Sequence, residues 1–335
     1  MIRMLKCAKS IGLILLASSF SVSANTQIPK RDVSFDEYVV ALKSEAAEQG
    51  ITSKTVESAF ANVQFKPRAV SADRSQPENK ITLDEYIPRA VPKWKVKQAK
   101  QKYRKHQAEL ERIGELYGVQ PRFIVALWGV ESNFGVLTGG YNVIDALTTM
   151  AYEGRRETFF RNELMAALTI LDEGHITAKN MKGSWAGAMG QPQFMPSSFL
   201  NYAADGNGDG TKNIWKNESD VFASAANYLK QSGWNDTYTW GRQVTLSESL
   251  DDSLFGRQPE QAKTLAQWQA LGVRNLQGHD LPKLKKDIDA WLIAPDSSSG
   301  RVYLVYNNYQ VLMKWNRSYY FGLAVSHLAD QLKSL

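Results

Sequence analysis

The apolar positions of this sequence recur every three or four residues over most of its length, which is the spacing of amphipathic helices. The pattern predicts helices over residues 35–50 and 53–63, the first behind a Ser-Phe-Asp-Glu start that is typical of a helix cap. A longer run predicts one continuous helix over residues 92–117. The polar, turn-rich stretch 67–79 predicts a connecting loop.

Beyond residue 240 the predicted elements are shorter and include strands as well as helices. Residues 290–294 and 301–306 predict two strands on either side of a Pro-Asp-Ser-Ser-Ser-Gly turn. Residues 264–271 and 318–332 return to helical spacing. The many predicted helices and the two short strands predict an α+β chain that is mainly helical. No internal repeat is visible, and the chain is predicted to fold as one unit.

The first 24 residues differ from those that follow. Residues 1–9 hold three cations and no acid, residues 11–16 form an apolar run, and Val22-Ser23-Ala24 suits a cleavage site. This layout predicts a signal peptide over residues 1–24 and an exported, periplasmic protein, with an amphipathic first helix as the alternative. Cleavage would remove the one cysteine of the chain and half of its net charge of +6. No later stretch is apolar enough to predict a transmembrane anchor.

A basic stretch lies within the predicted 92–117 helix, from Lys93 to Lys105. Two interpretations stay open, namely contact with an anionic polymer and an ordinary solvated helix face. Because these cations do not alternate with aromatic residues in a recognised motif, nucleic acid is not an expected partner.

Glu131 is the acidic residue whose surroundings suggest chemistry. It follows the apolar segment Phe-Ile-Val-Ala-Leu-Trp-Gly-Val and precedes Ser-Asn-Phe-Gly, a sequence suited to ending a helix. A carboxyl group at the edge of a hydrophobic core has a raised pKa, and a carboxyl that is protonated near neutral pH can act as a general acid. A structural acid at a helix end is the alternative.

The segment 183–198, Gly-Ser-Trp-Ala-Gly-Ala-Met-Gly-Gln-Pro-Gln-Phe-Met-Pro-Ser-Ser, combines small, amide and aromatic residues. Small residues let a backbone approach a ligand closely. Ser184, Gln191 and Gln193 offer neutral groups suited to sugar hydroxyls. Trp185 and Phe194 could stack on a sugar face. A tight packing loop between helices is the alternative.

Asp-Gly-Asn-Gly-Asp-Gly from Asp205 matches the first half of a calcium-binding loop. Its ligands would be alternate side chains and one backbone carbonyl, but Lys216 stands where a Glu usually closes such a site. Asp220 could take that place in a longer loop, and a polar turn without metal is the alternative. The candidate metal ligands are Asp205, Asn207, Asp209, Thr211 and Asp220.

Together these motifs resemble the lytic murein transglycosylase B family, glycoside hydrolase family 103. The Glu131 motif, the segment 183–198, the Asp-rich loop and Ala-Asn-Tyr at 226–228 carry the resemblance. It implies a catalytic region over residues 25–335, with a lysozyme-like core at about 107–235 and flanking helical and small β lobes. It also implies peptidoglycan glycan strands as the partner, and cell-wall synthesis proteins stay open as further partners.

The resemblance further implies the reaction. Glu131 aligns with the family's catalytic acid, which protonates the oxygen between N-acetylmuramic acid and N-acetylglucosamine. As a base it then deprotonates the muramoyl C6 hydroxyl, which attacks C1 and leaves a 1,6-anhydro end, with the substrate's N-acetyl group assisting. No cofactor is required for this chemistry, and calcium would be structural.

By the same alignment, several positions are expected to bind substrate: Ser184, Gln193, Arg155, Arg156, Tyr228 and Asn316. The arginine pair would face the anionic glycan or its peptide, with an ordinary surface pair as the alternative. Trp315 and Phe321 stand where Tyr is commoner in the family. Hydroxyl contacts are therefore open at those two positions, whereas aromatic stacking remains.

Two other functions fit the same sequence. A muramidase would hydrolyse the same bond and would usually need a second acid close to the first. Asp145 is an isolated candidate near Glu131 in the sequence. An inactive peptidoglycan-binding scaffold is the other alternative, although Glu131 and Ser184 are both present.

Overall fold

The computed structural model describes residues 32–75, 81–284, 286–297 and 300–335, so the predicted signal peptide lies outside the described residues. Fourteen α-helices and six β-strands form within these ranges. The helices are α1 (Phe35–Glu48), α2 (Ser53–Phe60), α3 (Pro67–Arg74), α4 (Leu83–Ala90), α5 (Lys93–Lys105), α6 (Gln107–Tyr117), α7 (Pro121–Ser132), α8 (Val143–Glu153), α9 (Glu157–Asp172), α10 (Pro196–Tyr202), α11 (Glu218–Gln231), α12 (Leu265–Ala270), α13 (Asn307–Trp315) and α14 (Tyr319–Asp330). The strands are β1 (Tyr141–Asn142), β2 (Lys182–Gly183), β3 (Gly241–Leu246), β4 (Val273–Asn275), β5 (Ala290–Ile293) and β6 (Val302–Tyr306).

Helix α7 lies at the centre of the helical core. All seven residues from Phe123 to Gly129 are buried, and a helix that is apolar on all sides must be surrounded by other elements. Helices α5, α6, α11 and α14 pack around it. The helical core therefore includes α5 and α14, which lie outside residues 107–235 in the sequence. Glu131 is thus carried near the C-terminal end of a buried, rigid element.

The prediction of one helix over residues 92–117 is wrong, because α5 and α6 are separate. The break falls at His106, whose backbone (φ −109°, ψ 18°) leaves the helical region. Its ring packs edge-on against Trp128 and Phe222, with ring centroids 5.8 Å and 5.4 Å away. Tertiary packing thus interrupts a run that holds no glycine or proline between residues 93 and 113.

The loop predicted over residues 67–79 is a helix in its first part. Helix α3 begins with Pro67, whose fixed φ suits the first helical position. Ala69, Val70 and Asp73 on one face are buried, and α3 packs against α8. Burial of this face stabilises a segment whose composition is that of a turn.

Strands β5 and β6 confirm the two predicted strands, whereas β3 and β4 were not predicted. The four form an antiparallel sheet in the order β4-β3-β6-β5. One face of the sheet covers a small separate core around Trp268, whose indole nitrogen donates to the Ala290 carbonyl at 2.9 Å. Residues Val33–Leu335 nevertheless form one compact unit.

None of the helices in the described ranges has both the length and the apolar character needed to span a membrane.

Candidate active site

Glu131 lies in the last turn of α7, where the backbone reverses sharply. Asn133 and Phe134 both have positive φ angles, 50° and 59°. The Asn133 N–H bonds the Gly129 carbonyl, and the Ser132 hydroxyl accepts from the Gly135 N–H at 3.0 Å. These contacts satisfy groups that a helix end leaves open. The Glu-Ser-Asn-Phe-Gly sequence therefore ends the helix and fixes the acid at its edge.

Gln191 braces this turn from the glycine-rich segment. Its side-chain oxygen accepts from the indole nitrogen of Trp128 at 2.6 Å, and its side-chain nitrogen donates to the Trp215 carbonyl at 3.2 Å. A Cβ on Gly135 would lie 2.4 Å from the same oxygen. Gln191 is only 6% exposed, so the sequence-based interpretation of Gln191 as a sugar contact is wrong: its amide is already satisfied by the protein.

The glycines near this segment are required by close packing. A Cβ on Gly139 would lie 2.1 Å from the Gly183 carbonyl oxygen, and one on Gly183 would lie 2.3 Å from the Ala188 carbonyl oxygen. Met189 and Phe194 exchange two backbone hydrogen bonds, of 2.7 Å and 3.1 Å. For its glycines, the alternative of a tight packing loop is therefore correct.

Ser184 and Gln193 are held in place by backbone groups of the same region. The Ser184 hydroxyl oxygen accepts from the N–H groups of Ala186 and Ala188. Gln193, with a positive φ of 53°, donates its side-chain nitrogen to the carbonyls of Thr138 and Gly190. Both polar side chains are therefore fixed before any ligand binds, and their contact with substrate stays a prediction.

The Glu131 carboxyl is in an environment that favours its neutral form. Burial raises the pKa of Glu131 from 4.5 to about 7, while a hydrogen bond from Trp315 acts in the opposite direction. The Trp315 indole nitrogen donates to Glu131 Oε1 at 2.6 Å. Glu131 keeps part of its surface accessible, so a ligand can reach it. A carboxyl with this pKa can give and take a proton near neutral pH.

Aromatic rings line one side of Glu131. The Trp315 ring packs on Tyr228 with centroids 4.7 Å apart and on Phe194 at 5.3 Å, and Tyr202 extends the cluster at 4.5 Å from Tyr228. Burial raises the pKa of Tyr228 to about 12, so its hydroxyl stays neutral. Trp315 thus packs among these rings and makes a polar contact with Glu131 that the sequence had left open. Stacking of Trp315 on a sugar stays a prediction.

Tyr86 is a site residue that sequence reasoning missed. Burial raises its pKa, and the negative charge of Glu131 acts in the same direction, which requires the two groups to be close. Its ring meets Tyr320 edge-on at 5.2 Å. The sequence offered no signal for it, since α4 is far from α7 along the chain and carries no motif.

Asp145, the acid nearest to Glu131 in sequence, is already paired with other groups of the protein. Its carboxylate pairs with the Lys66 ammonium at 3.0 Å and accepts from the Gln64 backbone N–H at 3.2 Å. In the part of the chain that the structure describes, no second carboxylate contributes to the raised pKa of Glu131. The site therefore rests on one acid.

The two predicted arginines meet a carboxylate on α3. Arg155 and Arg156 both bind Asp73 Oδ1, at 2.5 Å and 3.0 Å, and Asp73 is buried. Each arginine side chain remains about half exposed. This pairing supports the surface-pair alternative, and a contact with the glycan stays a prediction. Asn316 is exposed just after α13, where its side chain accepts from the Ser318 N–H at 3.0 Å.

The Asp-rich loop is organised by its own carboxylates. Asp205 accepts from the backbone N–H groups of Gly208, Asp209 and Gly210, and Asp209 accepts from Thr211. Buried Asp220 accepts from two further N–H groups. Across the described ranges, no three acidic, histidine or cysteine side chains are gathered as an ion would require. The loop thus brings acids near one another without forming a closed metal site.

A mainly helical, lysozyme-like fold that holds one acid beside aromatic rings defines the class of this protein. The chain belongs to the Transglycosylase SLT domain family, whose sequence profile matches residues 34–330. It is 32% identical over 230 residues to membrane-bound lytic murein transglycosylase B of Escherichia coli (strain K12). That match covers 68% of this chain and 61% of the relative's length.

Solved structures show the same architecture. SltB3 from Pseudomonas aeruginosa, in complex with NAG-anhNAM-pentapeptide, superposes with a TM-score of 0.86 and 41% identity, over 90% of this chain and 80% of that chain. The Escherichia coli lytic transglycosylase Slt35, in complex with calcium, has a TM-score of 0.75 over 88% of this chain and 92% of that chain. Its identity is 24%, so it supports the fold alone.

Proposed function

We propose that this protein is a periplasmic lytic transglycosylase of peptidoglycan. It cleaves the β-1,4 bond between N-acetylmuramic acid and N-acetylglucosamine without water and leaves 1,6-anhydromuramoyl ends. The observation that carries the proposal is that the site has a single acid, half-buried Glu131, whose pKa is raised to about 7. Asp145 does not serve as a second acid, because its carboxylate pairs with Lys66. The anhydro sugar bound to SltB3, a 41% identical relative, supports this type of product.

The reaction needs one proton to pass out of Glu131 and back. The neutral carboxyl gives its proton to the glycosidic oxygen, the C1–O bond breaks, and N-acetylglucosamine leaves with a free 4-hydroxyl. The muramoyl C6 hydroxyl attacks C1 and gives its proton to the Glu131 carboxylate. The acid is regenerated, no water is consumed, and a pKa near 7 serves both steps.

Product analysis on purified sacculi tests the proposal. Native protein should release fragments one water lighter than reducing-end fragments, and Glu131→Gln should release none while remaining folded. Asp145→Asn is the matched control, since it alters the other acid in this part of the sequence and should keep the anhydro product. Reducing ends alone would establish the muramidase, and binding to sacculi without release would establish the scaffold.

The substrate contacts belong to the same proposal. Ser184, Gln193, Tyr228 and Asn316 position the sugars, and Arg155 with Arg156 faces the anionic glycan or its peptide.

Replacement of one arginine tests this contact. Arg155→Gln should raise KM. Arg161→Gln is its control, because Arg161 is a similarly exposed arginine that pairs with Glu45 at 2.6 Å. Equal effects of the two changes would remove the arginine pair from the substrate site.

A structural calcium ion is the second part of the proposal. Burial raises the pKa of Asp220, and the charges of Asp205 and Asp209 act in the same direction. A divalent cation would relieve this repulsion, and oxygen ligands are those that Ca²⁺ prefers. Asp205, Asn207, Asp209, Thr211 and Asp220 would hold it.

Thermal unfolding tests the calcium ion. Calcium should raise the Tm and a chelator should lower it, and Asp209→Asn should abolish both shifts. Asp251→Asn is the control, because Asp251 makes the same turn contacts with Ser253 that Asp209 makes with Thr211. A Tm that ignores calcium in the native protein would leave the loop an ordinary polar turn.

A further inference from the structure

Trp315 reaches the acid from a different part of the fold. It is the last residue of α13, and its indole nitrogen lies 2.6 Å from Glu131 Oε1 at the end of α7. Its ring is held by Phe194 of the glycine-rich segment and by Tyr228 of α11. The donor is therefore fixed by three separate elements and aimed at one oxygen.

An indole N–H differs from a hydroxyl in that it can only donate. If the proton of neutral Glu131 were on Oε1, the indole would have to donate to a hydroxyl oxygen, which is a weaker acceptor than a carbonyl oxygen. The short contact of 2.6 Å therefore favours Oε1 as the acceptor in both protonation states, as carbonyl oxygen in the acid and as carboxylate oxygen in the base. A tyrosine at this position could donate or accept, and would leave either oxygen free to carry the proton.

We propose that Trp315 is a positioning residue that keeps Oε1 as a hydrogen-bond acceptor, so that the proton exchanged with substrate is carried on Oε2. The inference rests on the proposed function, because it assigns the atom through which that reaction runs. Oε2 gives the proton to the glycosidic oxygen and receives the proton of the C6 hydroxyl. Trp315 itself touches neither reacting atom.

The same hydrogen bond sets the balance between the two protonation states. It favours the charged carboxylate, whereas burial favours the neutral acid. Removal of the donor should therefore raise the pKa of Glu131, by roughly one pH unit for a hydrogen bond to a charged group. The basic limb of the kcat/KM profile, where Glu131 loses its proton, should move to higher pH by the same amount.

The first test is Trp315→Phe, which keeps a ring in the aromatic cluster and removes the donor. We expect the basic limb to move upward and the loss to appear in kcat rather than KM. Trp291→Phe is the matched control, because Trp291 is also half-buried and donates its indole nitrogen, to the Gln258 carbonyl at 2.9 Å. An unmoved basic limb in Trp315→Phe, or an equal movement in Trp291→Phe, would overturn the proposal.

The second test needs neither turnover nor a folded Trp315 variant. The ¹H–¹⁵N signal of the Trp315 indole in the native protein should shift as pH passes through the pKa of Glu131, and Glu131→Gln should abolish that shift. A pH-independent indole signal would refute the hydrogen bond. Because this measurement uses no substrate, it separates failure of the proposal from failure of the transglycosylase function.

Discussion

Replacement of Glu131 by glutamine should stabilise the folded protein at pH 8 and leave its stability unchanged at pH 4. Burial raises the pKa of Glu131 from 4.5 to about 7 in the folded protein. Between these two values the folded state binds more protons than the unfolded state, so stability falls as pH rises through this window. Above pH 7 the folded protein bears the full cost of a buried charge, and an uncharged glutamine of the same shape does not.

The magnitude follows from the displacement of the pKa. A shift from 4.5 to about 7 corresponds to a ceiling of about 3 kcal/mol, at 1.36 kcal/mol per pH unit. Because Glu131 keeps part of its surface accessible, water screens the charge and the expected gain is about 1–2 kcal/mol. The Trp315 donor does not oppose this gain, since a glutamine side-chain oxygen can accept it.

Urea unfolding of both proteins at pH 4 and pH 8 measures the effect as a change in the free energy of unfolding. Glu163→Gln is the matched control. Glu163 is another buried glutamate, but its carboxylate accepts from the Ser197 backbone N–H at 2.9 Å and hydroxyl at 2.6 Å. Its replacement should destabilise the protein. If Glu131→Gln gives the same change at both pH values, burial of its charge is refuted.

Three further substitutions follow from the packing around the site. Gly139→Ala should lower the free energy of unfolding by more than about 3 kcal/mol, because the φ of Gly139 is +86° and a Cβ there would lie 2.1 Å from the Gly183 carbonyl oxygen. Gly140→Ala is the control and should be tolerated, since a Cβ on Gly140 would have nothing within 4 Å. Thermal unfolding compares the two variants. Gln191→Leu should cost about 1–3 kcal/mol in urea unfolding, since it leaves a buried indole N–H without its acceptor. Asp73→Asn should cost about 1–2 kcal/mol by the same assay, because two half-exposed arginines lose their carboxylate; no loss would mean that the pair does not stabilise α3.

The sequence was sufficient for the features that local chemistry determines. The apolar segment before Glu131 predicts both the buried helix and the raised pKa of its acid. The short apolar segments near residues 290 and 305, on either side of a turn-rich stretch, predict β5 and β6. These follow from patterns that need no knowledge of distant residues.

Features set by distant partners could not be read in the same way. His106 ends α5 because its ring fits between Trp128 and Phe222, and nothing near residue 106 indicates that. Gln191 has the composition of a sugar ligand, but the Trp128 indole and the Trp215 carbonyl occupy its amide. Tyr86 is brought near the acid by the packing of α4 against α14, in which its ring contacts Tyr320.

The brace at Gln191 has a consequence for how this protein can vary. Its side chain joins the helix of the acid to Trp215, and its backbone N–H joins Ile214 at 2.9 Å. Both partners follow the Asp-rich loop directly in the chain. One amide therefore links the geometry of the acid to the state of a surface loop. Substitutions that loosen the loop should therefore also displace the Glu131 carboxyl. Position 191 should tolerate as little variation as position 131, because its side chain holds the acid in place rather than because it contacts a sugar.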